Sequence, residues 1–156
     1  MDLEEIEKRL RVLEDIEEIK QIQIRYVNGL TITDWDDLVD CFSENAFVDL
    51  SEGYRGKEEI AEFFKGEITW THIGKEGNYL VHPVISVDGD KATGSWLLYT
   101  LFSQPHTLQT GSMPVAEDAP DWMHGFYDME YVRENGKWKI SMLKWRKRLV
   151  SPWPPE

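Results

Sequence analysis

The chain has a single cysteine, Cys41, so no internal disulfide can hold its fold together. Nothing near Cys41 would lower a thiol pKa, and beside Phe42 it reads as core rather than as a nucleophile. No apolar run approaches the roughly 20 residues needed to span a bilayer. The opening MDLEEIEKRL lacks the basic-then-apolar order of a secretion signal, so a cytoplasmic, soluble protein is the expectation. Positive charge is scarce: 17 Lys plus Arg stand against 29 Asp plus Glu, a net charge of −12. Such a surface repels phosphate backbones and anionic lipid, which argues against nucleic acid and membrane as partners. The basic cluster Lys144, Arg146, Lys147 and Arg148 is the local exception and reads as a solvated or interface face. The four histidines form no His-x-His or His-x3-His pair, so no metal site is expected. No glycine-rich phosphate loop, nucleophile elbow or dinucleotide fingerprint occurs.

Large apolar side chains, in contrast, are plentiful. Of 156 residues 41% are hydrophobic and 12% aromatic, with seven Trp, enough for one domain with a substantial core. Leu3, Ile6, Leu10, Leu13, Ile16, Ile19, Ile22 and Tyr26 recur at spacings of three and four, the period of one helical stripe. This predicts helix over residues 3–29, with a break near Asp15 and an end at Gly29. Residues 1–13, dense in Glu and Arg, read as a helical extension that packs on a neighbouring subunit.

Thr33-Asp34-Trp35-Asp36 resembles a capping box and predicts a second helix to about Phe42. A short strand over Ala46–Leu50, a turn and strand over Gly53–Gly56, and a third helix over Lys57–Lys65 closed by Gly66 follow. The period then changes to two. Tyr79–Val87 and Ala92–Phe102 flank Asp88-Gly89-Asp90, and Trp122–Arg133 and Trp138–Val150 flank Glu134-Asn135-Gly136-Lys137: two long hairpins. Ser103–Asp121, with three prolines, reads as a long loop, and the tail 151–156 as a surface segment. Helices first and strands after imply an α+β architecture with the helices on one sheet face.

That order, the segment IKQIQIRYVNGLTITDWDDLVD (Ile19–Asp40), Tyr54-Arg55-Gly56 before a helix, and the Asn-Gly-Lys-Trp-Lys-Ile turn and strand together resemble the SnoaL-like, nuclear-transport-factor-2-like superfamily over roughly residues 14–150. Within it the look is nearest to bile-acid 7α-dehydratase, scytalone dehydratase and a dehydrochlorinase. The resemblance implies a cystatin-like cone: a strongly curved mixed or antiparallel sheet of about six strands wrapped on three N-terminal helices. It implies an apolar small-molecule ligand, a homo-oligomer (trimer or dimer), and no cofactor. Its enzymes are lyases that eliminate across adjacent carbons with a pocket histidine as base, oriented by an aspartate from the end of the first helix, and tyrosines on the leaving oxygen. On that basis His82 is the candidate base and Tyr26 the candidate hydroxyl donor. Thr31 stands where the family's aspartate would, and after Trp96 the chain has Leu97, Leu98, Tyr99 and Thr100 where the bile-acid enzyme is acidic. A threonine can fix an imidazole tautomer but hardly stabilises an imidazolium.

The expected function is therefore a dehydratase-type lyase or an isomerase acting on a hydrophobic, polycyclic or aromatic molecule. The alternative is a non-catalytic binding or assembly module, favoured by the loss of that aspartate. Trp35, Phe64, Trp96, Tyr99, Tyr127 and Trp145 are the expected pocket lining. His124 and Asp128, four apart on one strand face, form a possible pair, whereas His72 and His106 read as solvated loop residues.

Overall fold

The helical stripe and its caps account for the first part of the chain. The computed structural model describes residues 2–50, 52–68, 72, 74, 76–102 and 121–151. Helix α1 runs unbroken over Leu3–Ile32. The Asp2 carboxylate accepts the Glu5 N–H at 2.9 Å at its start. At its end Thr33 turns left-handed at φ 58°, and the Asp34 N–H reaches the Gly29 carbonyl at 2.9 Å. The break expected near Asp15 does not occur, because no glycine or proline precedes Gly29 and Asp15 is held from outside the helix. Its carboxylate accepts from Trp138 Nε1 at 3.0 Å and from Arg133 Nη2 at 2.5 Å. Leu3, Ile6, Leu10 and Leu13 are exposed, and the helix becomes buried from Ile19 onward.

Asp34 caps the short helix α2, Trp35–Asp40, by accepting the Asp37 N–H at 3.1 Å. Strand β1 spans Phe42–Asp49 and starts before the expected Ala46, because Phe42 already pairs in parallel with Ile140. Strand β2 (Gly53–Arg55) folds back on β1, and helix α3 covers Gly56–Gly66. The two long hairpins form as the turn residues direct: β3 (Gly77–Asp88) with β4 (Lys91–Leu101), and β5 (Trp122–Glu134) with β6 (Lys137–Ser151). Asn135 and Gly136 both take positive φ, 52° and 75°, as a two-residue turn matched to strand twist requires. The expected loop over 103–120, the tail 152–156, Trp70 and His106 lie outside the described residues.

The six strands make one mixed sheet in the order β2-β1-β6-β5-β4-β3, in which β1–β6 is parallel and the other pairs are antiparallel. Register shifts in β3 between Val81 and Val84, and twice along the β5–β6 pair, bend it. Its concave face carries Trp96, Leu98, Tyr127, Met129, Tyr131, Ile140 and Leu143, which close on Tyr26, Leu30, Phe63 and Phe64 from α1 and α3 in one core. This is the α+β cone that the sequence implies. No helix among the described residues is long and apolar enough to cross a membrane.

Close approach is tightest at Gly125, where a Cβ would overlap the Trp145 ring and the Arg146 carbonyl oxygen. Gly125 thus lets the Trp145 indole lie across β5 and reach Tyr127, 5.1 Å away between ring centroids. Gly125→Ala is expected to lower the urea unfolding free energy by roughly 1–3 kcal/mol, the usual cost of overpacking. An unchanged denaturation midpoint would show that the Trp145 ring moves aside freely.

Candidate functional site

The buried face of α1 presents polar groups to the inside of the cone. Tyr26 is fully enclosed, with edge contacts to Phe42, Phe64 and Tyr127, and its hydroxyl lies 3.4 Å from that of Tyr127. Burial raises both phenol pKa values, that of Tyr26 well above its ordinary range and that of Tyr127 to about 12, so both keep their protons at neutral pH. Trp35 stacks on Phe64 at 6.2 Å, and Trp145 packs on Tyr127. Of the lining expected from sequence, Trp35, Phe64, Trp96, Tyr127 and Trp145 meet on the helix-facing side of the sheet.

Tyr99 does not join them. It lies on the opposite face of β4, stacked on Trp122 at 5.6 Å, since residues three apart on a strand must point to opposite sides. His124 and Asp128 share that outer face. His124 sits between Tyr99 and Phe126, and Asp128 is engaged by Arg146 through Nε at 2.6 Å and Nη2 at 3.1 Å.

Five residues beyond Tyr26, the Thr31 hydroxyl donates to the Val27 carbonyl at 2.8 Å. It therefore accepts from Asn78 Nδ2, 3.2 Å away. Asn78 Oδ1 in turn accepts the Thr100 hydroxyl at 2.9 Å. The partner of Thr31 on β3 is thus Asn78. His82, four residues on, is exposed at φ 53° in the β3 bulge and does not meet Thr31 or Tyr26. The irregularity between Val81 and Val84 interrupts the alternation that would otherwise aim residue 82 to the same side as 78 and 80.

The imidazole that does reach this network is His72. Read from sequence as solvated, it is 7% exposed, packs edge-on against Phe102 at 5.8 Å between ring centroids, and hydrogen-bonds Asn78. Nothing in its irregular local sequence announces that burial. Burial depresses its pKa to about 4, while the nearby Glu76 carboxylate and the Asn78 bond act the other way. Glu76 is itself buried, and its Oε2 accepts the Gly74 N–H at 3.0 Å. The site thus joins a neutral Thr31–Asn78–Thr100 chain to a neutral imidazole beside a carboxylate. Such a ring can take a proton, and Glu76 is placed to stabilise the imidazolium in a way Thr31 cannot.

The family is decided by the match of the SnoaL-like domain to residues 11–144. The chain belongs to the SnoaL-like family. Solved structures share the SnoaL-like cone. Hexachlorocyclohexane dehydrochlorinase LinA-type3 from Novosphingobium barchaimii superposes with a TM-score of 0.76 at 19% identity, covering 94% of each chain. The type 2 form of that enzyme gives 0.78 at 17% identity over 93% of each chain. A protein from Novosphingobium aromaticivorans described as NTF2-like with a cystatin-like fold gives 0.74 at 19%, covering 98% of this chain and 93% of its own. At these identities the likeness is one of fold. Neither of two open surface clefts, of about 620 and 770 Å³, is lined by Tyr26, Thr31 or His72.

His72 makes stability depend on pH in a defined direction. The unfolded ring takes up a proton below about 6.5 and the folded ring only near 4, so folding weakens as pH falls through that window. His72→Gln is expected to flatten the denaturant midpoint between pH 6.5 and 4 relative to the parent chain; parallel pH profiles would refute the burial of a neutral imidazole.

Proposed function

We propose that this SnoaL-like domain is a cofactor-independent lyase or isomerase acting on a hydrophobic, polycyclic or aromatic small molecule, with His72 rather than His82 as its general base. The observation that carries the reading is the buried His72 beside Glu76, tied through Asn78 to Thr31, the position from which the family's aspartate would act. His72 receives a proton from carbon, Glu76 stabilises the resulting charge, and the Tyr26 and Tyr127 hydroxyls hold the leaving or enolising oxygen. A ring with a pKa of about 4 is always unprotonated at neutral pH but is a weak base. The substrate must therefore carry an activated C–H, next to a carbonyl or a good leaving group. Likeness in fold to the hexachlorocyclohexane dehydrochlorinases supports elimination as the reaction type.

A second reading, a non-catalytic binding module, is favoured by one specific observation: Thr31, Asn78 and Thr100 are all uncharged and already satisfy one another. Incubation with chlorinated cyclohexanes and polycyclic β-hydroxy ketones, followed by halide release and mass spectrometry, separates the two. Many turnovers on at least one compound are expected, with His72→Gln slower by roughly 10²–10⁴-fold, the usual share of general-base catalysis. His82→Ala is expected to match the parent chain. Tight binding with no conversion would leave the binding module standing, and full turnover by His72→Gln would remove His72 from the mechanism.

The same reading includes a dimer or trimer formed through the outer sheet face, which exposes Tyr79, Val81, Val84 and Leu101 next to the basic end of β6. Light scattering is expected to give two or three times the 18.3 kDa chain mass. A strict monomer over a wide concentration range would exclude it.

A further inference from the structure

Deep in the cone, a second polar chain has a direction fixed by chemistry. The Trp96 indole Nε1–H can only donate, and it donates to the Tyr131 hydroxyl oxygen at 2.9 Å. The Tyr131 proton is thereby free for Gln23 Oε1, 2.8 Å away. With its oxygen so engaged, the Gln23 amide nitrogen has no partner among the described residues, although Gln23 is 0% exposed. A buried amide left unpaired is destabilising, and an apolar side chain of the same length would avoid that cost. Trp96 and Tyr131 belong to the same core as the Tyr26 and Tyr127 of the proposed site. Gln23 lies one turn from Tyr26 on the buried face of α1, and Trp96 is the register partner of Tyr127 across β4 and β5.

We infer that the Gln23 amide nitrogen is a specificity-determining donor to a neutral oxygen of the ligand, a carbonyl, hydroxyl or ether, with Tyr131 and Trp96 as positioning residues that hold the amide in that orientation. The inference rests on the reading of the cone as a small-molecule site. The chemical class follows from the surroundings. Every member of the chain is uncharged, and no Lys or Arg is among the buried residues described, so a carboxylate or phosphate oxygen would lack a countercharge there. The ligand is thus an apolar skeleton with one neutral oxygen at its inner end. About 12 Å of α1 separates Gln23 from Thr31, at roughly 1.5 Å per residue. A second polar substituent toward Thr31 would therefore belong to a molecule of several fused or linked rings.

The experiment compares two probes of nearly equal shape, 2-acetylnaphthalene and 2-isopropenylnaphthalene, by isothermal titration with the full chain, with Gln23→Leu and with Gln23→Met. The second variant guards against misfolding of the first, and thermal unfolding checks both. The parent chain is expected to prefer the ketone by roughly five- to tenfold, the worth of one neutral hydrogen bond. Both variants are expected to lose that preference while binding the hydrocarbon at least as tightly. An unchanged ketone preference in a folded variant would overturn the role of Gln23 while leaving the binding site intact. Failure of both probes to bind any of the three proteins would instead overturn the small-molecule reading and this assignment with it. A crystal structure of the ketone complex in which an ordered water, and not the ketone, fills the Gln23 donor would also overturn it.

Discussion

A buried polar group has to find a partner inside the protein, and that constraint shapes the interior of this cone. Helix α1 sends Gln23 and Tyr26 into the closed core and Thr31 to its partly buried end, and strands β5 and β3 answer them. Tyr131 on β5 answers Gln23, Tyr127 on β5 answers Tyr26, and Asn78 on β3 answers Thr31. Because each such bond is worth far more to keep than to leave unmade, together they set the rotation of α1 about its axis. The apolar contacts of Ile19, Val27 and Leu30 supply most of the burial but would tolerate small rotations that the hydrogen bonds do not.

Outside the cone, charge does the corresponding work with less at stake. Arg25 on α1 grips Asp37 and Asp40 of α2, while Arg133 joins Asp15 on α1 to Asp90 at the β3–β4 turn and covers the Trp138 ring. These pairs are partly exposed and therefore screened, so they orient elements more than they stabilise them. Acid acts on both layers, by protonating the paired carboxylates outside and by charging the buried His72 ring inside.

Much of the architecture was legible in the residues because local rules and the final structure agree. Alternation marked both long hairpins, Asn135-Gly136 marked the turn of the second, and the three-four spacing marked α1. The start of β1 was not legible, since Phe42 is extended by its distant parallel partner Ile140 and not by local preference. In the site, Tyr26 and five of the aromatic residues were readable from stripe and parity. Tyr99 lies on the other face of β4, opposite Trp96, as parity alone requires. The position of His82 depends on a bulge, which has no sequence signal beyond the following Pro83, and the burial of His72 depends on contacts made by an irregular segment with no period to read. The Thr31–Asn78 pair spans 47 positions, and neither residue type announces the other.

The parallel pairing of β1 with β6 has a consequence for how the chain assembles. The last strand in sequence is third from one edge of the sheet and lies between β1 and β5, so the earliest strands are joined to the rest only through it. During synthesis, the β1–β2 pair and helix α3 have no sheet to join until β6 emerges, and Phe42 and Val48 stay without the strand that pairs with them. Contacts of such long sequence separation slow folding and prolong the exposure of apolar strands. Truncation within β6 would accordingly detach the front of the cone, not merely shorten its back.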